Sequence, residues 1–251
     1  MIRLHLPLLF AAAVVAAPAA ADDPAAERQS LRRDDASGLN YWWYEPVGEP
    51  FVADPAAGAG GRRPLLIFLH GGGESGGDPG KVLTHGLPKA VRDGLNLPMF
   101  VASPHNPGAQ KFWDDVRVAA LARSLAAAHP VDPRRIYITG LSRGGYGTWR
   151  CLLQDPGLYA AAVPIAGGGY PPYAFRIPDK PVWAFHGDAD EIIPPNESAD
   201  MVAAINARGG DAKLTLYPGV GHAGWDEAYA DKKMWTWLLN RRLPEAPAEE
   251  Q

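Results

Sequence analysis

The chain has almost no cysteine: its 251 residues include only Cys151. One cysteine excludes an intramolecular disulfide and any zinc site built from several thiolates. Stability must therefore come from a hydrophobic core, which a chain of this length can form. Cys151 lies within a predicted helix, where we expect a small buried hydrophobic residue and not a nucleophile. The sequence also lacks an HExxH motif, so we predict neither a metal site nor a cofactor.

An excess of charge of one sign is absent as well. Lys and Arg number 24 and Asp and Glu number 28, which gives a formal net charge of only −4. No long block of like charge interrupts this balance. Electrostatics therefore gives no indication of a nucleic-acid partner, and we expect none.

Long hydrophobic runs are rare, and the one that stands out covers residues 6–17. Arg3 precedes this run, and three alanines end it just before Asp22, which is the pattern of a cleavable signal peptide. The run is short for a membrane span, so we expect no stable membrane insertion, with an uncleaved anchor as the alternative. We predict a signal peptide over residues 1–21 and a secreted or periplasmic protein.

The remaining sequence alternates between strand-like and helix-like patterns. Continuous apolar runs bounded by turn residues, such as 65–70 and 98–104, are typical of strands buried on both faces. Helical patterns cover 114–129 and 196–210, and a single closing helix is predicted over 226–242. Alternating strands and helices predict an α/β fold with a mostly parallel central sheet flanked by helices.

The boundaries of the domain follow from composition. Residues 22–37 are charged and rich in alanine, and we predict a flexible segment there. No internal repeat or second compositional zone divides residues 38–243, which are predicted to form one domain. Residues 244–251 are predicted to be a disordered tail.

One motif explains an abrupt change from strand to helix. Gly140, Ser142 and Gly144 match G-x-S-x-G between the strand-like residues 134–139 and a helical stretch. A nucleophile on such a tight turn projects above the sheet, and bulky neighbours two residues away would clash with adjacent strands. Ser142 is therefore the candidate nucleophile.

A serine needs a base to take its proton, and the base needs an acid to orient it. In chain order the motif predicts serine, then acid, then histidine, each after its own strand. The acid candidates are Asp188, Asp190 and Glu191, and the histidine is His222. We choose Asp190, because Asp188 follows a glycine directly and is expected to serve the local turn.

The other histidines have structural interpretations. His70 and His186 end strands and precede glycines, so we expect them to form structural hydrogen bonds. His85, His105 and His129 are expected at the surface.

An oxyanion needs two N–H donors. One is expected from Arg143, which follows the nucleophile, and the other from Gly72 in the glycine-rich loop after the early strand. This loop lacks the residues and spacing of a phosphate-binding loop, so we do not assign it to a nucleotide.

These motifs together resemble the secreted α/β-hydrolase serine esterases, in particular the group of feruloyl esterases, polyhydroxybutyrate depolymerases and prolyl-oligopeptidase-like predicted peptidases. The resemblance is carried by FLHGGGESG, RRIYITGLSRGGYGTW, PVWAFHGDADEIIP and KLTLYPGVGHAGW. It implies an α/β-hydrolase fold, with Ser142 as nucleophile, Asp190 as acid and His222 as base. Arg143 departs from the methionine or glutamine of many relatives, and a cation there could bias the substrate toward a carboxylate.

The predicted mouth of the site is open and aromatic. The stretch between residues 167 and 180 is too short for a helical cap, so we predict no cap domain. Trp113, Tyr170 and Trp225 are the predicted substrate-binding residues, with Tyr173 beside them; each could instead pack in the core.

The sequence therefore predicts a secreted serine carboxylesterase that works through an acyl-enzyme, on short-acyl, phenolic or polymer-attached esters. A serine peptidase of the prolyl-oligopeptidase-like type is one alternative. A catalytically silent polysaccharide-binding protein on the same fold is the other.

Overall fold

The computed structural model describes residues 28–56, 61–108 and 112–245. The predicted signal peptide lies outside these residues, as do residues 246–251 of the predicted tail. The described strands are β1 Gln29–Asp34, β2 Leu39–Tyr44, β3 Arg63–Leu69, β4 Phe100–Pro104, β5 Val131–Leu141, β6 Ala161–Ile165, β7 Trp183–Gly187 and β8 Lys213–Tyr217. The described helices are α1 Gly86–Arg92, α2 Asp115–Ala128, α3 Arg143–Gln154, α4 Asn196–Asn206, α5 Trp225–Ala230 and α6 Lys232–Leu239, with 3-10 helices at Pro79–Thr84 and Pro171–Arg176.

The eight described strands form one sheet in the order β1-β2-β4-β3-β5-β6-β7-β8. The β1–β2 and β2–β4 pairs are antiparallel, and the neighbours from β4 to β8 are parallel. This is the mostly parallel sheet that alternating strands and helices predict. Because parallel strands end at the same edge, the loops after β3, β5, β7 and β8 meet there.

Two cores lie on opposite faces of the sheet. Successive residues of β3 alternate between them: Leu65, Ile67 and Leu69 belong to the core under α2, α3 and α4, whereas Leu66 and Phe68 belong to the core under α1, α5 and α6. This period of two explains why an uninterrupted apolar run forms a strand here. Cys151 is buried in the first core, as predicted.

The sequence predictions are wrong at both ends of the domain. The segment predicted to be flexible contains β1, an edge strand whose middle residues are mostly exposed and polar. An edge strand of this kind lacks the apolar alternation that reveals other strands. The predicted closing helix is two helices, because Asp231 has extended backbone and its side chain caps α6 at the N–H of Lys233. Glu245, in the predicted tail, pairs with Arg134.

The connection from β6 to β7 is short and carries only the 3-10 helix Pro171–Arg176. It contains no helical cap, as predicted, so the edge of the sheet above it stays open. Among the residues described, no helix is both long and apolar enough to cross a bilayer.

A buried ion pair links β5 to the segment before β3, and its arginine also contacts the end of α6. Arg135 in β5 forms two hydrogen bonds with the carboxylate of Asp54, at 2.6 and 3.1 Å, and donates a third to the carbonyl of Leu239 in α6. Both charged side chains are less than 5% exposed. Each charge therefore depends on the other for compensation, since little water reaches them.

Replacing Asp54 with alanine should lower the free energy of unfolding by about 3 kcal/mol, because it leaves Arg135 buried without its counter-charge. Urea denaturation measures this. Asp93→Ala is the matched control, since Asp93 pairs with Lys89 on an exposed surface and should cost much less. Equal losses in the two variants would contradict the assignment.

Candidate active site

The turn between β5 and α3 holds Ser142 in an unusual backbone conformation, with φ of 54° and ψ of −117°. A side chain at either motif glycine would collide with backbone: a Cβ at Gly140 would lie 2.4 Å from the carbonyl oxygen of Gly144, and one at Gly144 only 1.8 Å from that of Leu69. The Ser142 N–H donates to the carbonyl of Ile165 in the neighbouring strand. The glycine requirement that the motif predicts is thus confirmed by close packing.

Three predicted side chains from three loops come together. The hydroxyl of Ser142 lies 2.9 Å from Nε2 of His222, and Nδ1 of His222 lies 2.7 Å from Oδ2 of Asp190. Because a carboxylate only accepts hydrogen bonds, Nδ1 carries the ring hydrogen and Nε2 is left to accept from the serine. This tautomer allows the imidazole to take a proton from the hydroxyl.

Asp190 is the carboxylate that contacts His222, and its side chain is fully buried. Its Oδ1 accepts from the backbone N–H groups of Ile192 and Ile193, both at 2.9 Å. Burial alone raises the pKa of this carboxyl, but the hydrogen bonds from His222 and the two N–H groups outweigh that effect and lower it below the usual 3.8. Asp190 is therefore an ionised carboxylate at neutral pH.

A second histidine lies against the same carboxylate. Nε2 of His186 is 3.2 Å from Oδ2 of Asp190 and 2.9 Å from the carbonyl of Ile193, while Nδ1 contacts the hydroxyl of Ser198. Both groups facing Nε2 are acceptors, so this nitrogen carries a hydrogen. The predicted structural role of His186 is confirmed, but its contact with the acid was missed. The only signal was the four-residue spacing of His186 and Asp190.

The other two acid candidates lie away from this arrangement. Asp188 is exposed and accepts from the N–H of Gly219, which is the local turn role predicted for it. Glu191 is exposed.

The glycine-rich loop after β3 is fixed from below by His70. Its Nδ1–H donates to the carbonyl of Gly71 at 2.7 Å, and its Nε2 accepts from the N–H of Asn106 at 3.0 Å. The Gly71 carbonyl and the Gly72 N–H belong to one planar trans peptide and point in opposite directions. His70 therefore sets the direction of the predicted donor Gly72, which lies on the exposed side of the loop.

His70 must stay neutral to accept from Asn106. Burial is the main cause that lowers the pKa of His70 from 6.5 to about 4, against the opposing hydrogen bond to Gly71. Of the three histidines predicted at the surface, His85 is exposed, whereas His105 is buried. His129 is half-buried and stacks on the ring of Trp43.

The two predicted oxyanion donors come from neighbouring elements. Arg143 is the first residue of α3, and its guanidinium lies over Gly72, where a Cβ would be 3.1 Å from Nη2. Gly71 has equally little room, because a Cβ there would be 2.9 Å from Leu141 and 3.0 Å from the buried carboxylate of Glu74.

The predicted substrate-binding aromatics lie in different places. Trp225 packs edge-to-face on His222, with 5.4 Å between the ring centroids. Trp113 is only 3% exposed and donates its indole N–H to the carbonyl of His70. A cavity of about 710 Å³ runs along α3 from Tyr146, one turn beyond Ser142. It is lined by Phe112, Trp113, Asp115, Tyr146, Gly147, Arg150, Leu153, Gln154, Gly168, Gly169, Tyr170, Tyr173 and Arg176.

The pKa of His70 predicts a pH-dependent stability. Between pH 6.5 and 4 the unfolded chain binds a proton that the folded chain does not, so the stability falls as pH falls, by about 2 kcal/mol between pH 7 and 5. His70→Asn keeps a donor for Gly71 but cannot titrate, and should flatten this slope in urea denaturation. His85→Asn is the exposed control. An unchanged slope in His70→Asn would contradict the burial argument.

Comparisons with known proteins find partial matches among hydrolases and esterases. Poly(3-hydroxyalkanoate) depolymerase C from Paucimonas lemoignei is 40% identical over 53 residues, which are 21% of this chain and 13% of the depolymerase. Oxidized polyvinyl alcohol hydrolase from Sphingopyxis sp. is 30% identical over 106 residues, 42% of this chain and 25% of that protein. The chain thus spans a quarter or less of the length of these curated relatives.

The crystal structure of a thermostable esterase superposes with a TM-score of 0.69 and 29% identity, over 86% of this chain and 63% of that chain. These matches show that the chain has the α/β-hydrolase fold. The model of the dienelactone hydrolase family matches residues 105–235, just over half of the chain. The chain belongs to the dienelactone hydrolase family.

Proposed function

We propose that this protein is an exported serine carboxylesterase that uses Ser142, His222 and Asp190 as a catalytic triad. The observation that carries the proposal is the unbroken series of hydrogen bonds from Ser142 through His222 to Asp190, at 2.9 and 2.7 Å. A serine in hydrogen-bond contact with an oriented imidazole is an activated nucleophile.

The reaction would proceed in two halves. Oγ of Ser142 attacks the ester carbonyl carbon while Nε2 of His222 takes its proton, and the resulting imidazolium is stabilised by Asp190. The tetrahedral intermediate collapses to an acyl-enzyme as the leaving alcohol receives that proton. Water then attacks the acyl carbon with His222 as base, which releases the acid and restores the Ser142 hydroxyl.

The negative charge of the tetrahedral oxygen needs donors at the same time. The N–H of Arg143, at the N-terminus of α3, and the N–H of Gly72 are the proposed pair. The orientation of the Gly71–Gly72 peptide by His70 supports this assignment, as does the position of Arg143 directly after the nucleophile.

We propose short-acyl, phenolic or polymer-attached esters as the substrate class. The short connection between β6 and β7 leaves room above the site for a bulky substrate. The aromatic side chains along the cavity beside α3 offer flat surfaces for a ring. The names of the two curated relatives, a depolymerase and a polyvinyl alcohol hydrolase, also favour polymer-attached groups.

The exported location is part of the same proposal. It is supported by the sequence of residues 1–21, in which an early cation, an apolar run and three alanines follow one another.

Ser142→Ala should lower turnover of p-nitrophenyl acetate by about 10⁴-fold or more, because no other group can form the acyl-enzyme. It should also abolish covalent labelling by a fluorophosphonate. Ser124→Ala is the control, since Ser124 bonds to Asp34 at the far end of the sheet. Retained turnover and labelling in Ser142→Ala would refute the triad.

The same assay separates the alternatives. Hydrolysis of peptide amides without hydrolysis of esters would identify a serine peptidase. Absence of any turnover in the parent protein, with binding to a polysaccharide, would identify a silent binding protein.

The cavity beside α3 predicts a selective effect on substrates that carry a ring. Tyr173→Ala should raise KM for a feruloyl ester about tenfold, the loss of one aromatic contact, and leave KM for an acetyl ester unchanged. Leu31→Ala is the control, because Leu31 is an exposed apolar side chain on the edge strand β1 and lies outside the cavity lining. Equal effects of the two variants, or none, would remove the cavity from the substrate site.

A further inference from the structure

Arg143 contacts the active site with both its backbone and its side chain. Its backbone begins α3 directly after Ser142. Its side chain reaches across to the glycine-rich loop, where Nη1 donates to the hydroxyl of Ser75 at 2.9 Å. The same guanidinium covers Gly72, since a Cβ there would lie 3.1 Å from Nη2, 3.4 Å from Cζ and 3.5 Å from Nε.

The loop that Arg143 covers needs such support. Residues 71–77 include five glycines, and glycine leaves a backbone many conformations of similar energy. His70 fixes the Gly71 carbonyl from the sheet side, and the N–H of Gly76 donates to the carbonyl of Asn106 at 3.2 Å. Arg143, at the start of α3, restrains Gly72 and Ser75, which lie between Gly71 and Gly76 in the loop.

We propose that the guanidinium of Arg143 is a clamp that aims the second oxyanion donor. By holding Gly72 and Ser75 against α3, it keeps the N–H of Gly72 directed at the point that the N–H of Arg143 also faces. One residue would thus supply one donor of the oxyanion hole and position the other. This inference rests on the proposed function.

This role differs from selection of anionic substrates in the kinetic effect that it predicts. A guanidinium that selects a carboxylate should present its N–H edge to the incoming ligand. Here Nη1 faces Ser75, and Nη2, Cζ and Nε lie close to Gly72. The arrangement therefore couples two parts of the protein, and its effect should appear in the transition state more than in substrate binding.

The experiment compares Arg143→Met, Arg143→Lys, Ser75→Ala and the double variant Arg143→Met with Ser75→Ala. For each we would measure kcat and KM on p-nitrophenyl acetate and the inhibition constant of phenylboronic acid. The boronate adduct on Ser142 places an oxygen where the oxyanion forms. Its affinity therefore reports how well the N–H groups of Gly72 and Arg143 point at that oxygen. Arg123→Met is the matched control, because Arg123 forms an exposed pair with Asp155 on another part of the surface.

Arg143→Met should lower kcat about tenfold, less than the loss of a whole donor, leave KM within twofold, and weaken boronate inhibition about tenfold. Ser75→Ala should act in the same direction, and the double variant should be no worse than Arg143→Met alone, since both remove one clamp. Arg143→Lys should recover part of the loss because its ammonium can still donate to Ser75.

Two results would overturn the proposal. Unchanged kcat and boronate affinity in a folded Arg143→Met would show that the clamp does not aim the donor. A rise in KM confined to anionic esters would assign Arg143 to substrate charge instead. If Arg143→Met does not fold, Ser75→Ala decides by the same readouts. Retained activity in Ser142→Ala would refute the proposed function itself, which keeps the two failures distinct.

Discussion

The conformation of Ser142 is the constraint on which the site depends. A positive φ at a non-glycine residue costs about 1–3 kcal/mol and persists only where its surroundings impose it. Here the carbonyl of Ile165 holds the Ser142 N–H, and the carbonyl of Leu69 lies where any side chain at Gly144 would have to go. This packing directs the hydroxyl above the sheet and starts α3 at the next residue.

His222 and Asp190, the proposed base and acid, are connected to this hydroxyl by hydrogen bonds that a buried network supports. Asp190 accepts from two backbone N–H groups on Oδ1 and faces His222 and His186 on Oδ2. Such a carboxylate is saturated with donors, so its position and its charge are fixed together. The network extends to α4, because the hydroxyl of Ser198 in that helix contacts His186 and donates to the carbonyl of Gly167. The orientation of His222 therefore depends on packing well below the surface.

The sequence predicts those parts of the molecule that local patterns encode. Strands buried on both faces and the G-x-S-x-G turn follow from neighbouring residues. The order of serine, acid and histidine along the chain follows from the motif and from the strands that precede each residue. The ion pair of Arg135 with Asp54, 81 residues apart, is not predicted. Neither is the contact of His186 with Asp190, although only four residues separate them. The edge strand β1 was missed because its exposed residues carry no apolar period. Long-range pairing depends on the tertiary fold, which short windows of sequence do not contain.

The register of the sheet explains how the loops after β3 and β5, which are far apart in sequence, can both donate to one oxyanion. In the parallel pairing of β3 with β5, Leu69 lies beside Gly140, so the two strands end at nearly the same level of the sheet. The next three residues of one strand lead to Gly72, and the next three of the other lead to Arg143. The sheet thus brings both proposed donors to one edge, but it leaves the direction of a glycine-rich loop open. Two side-chain contacts restrict that freedom: His70 binds the carbonyl of Gly71, and Arg143 binds the hydroxyl of Ser75.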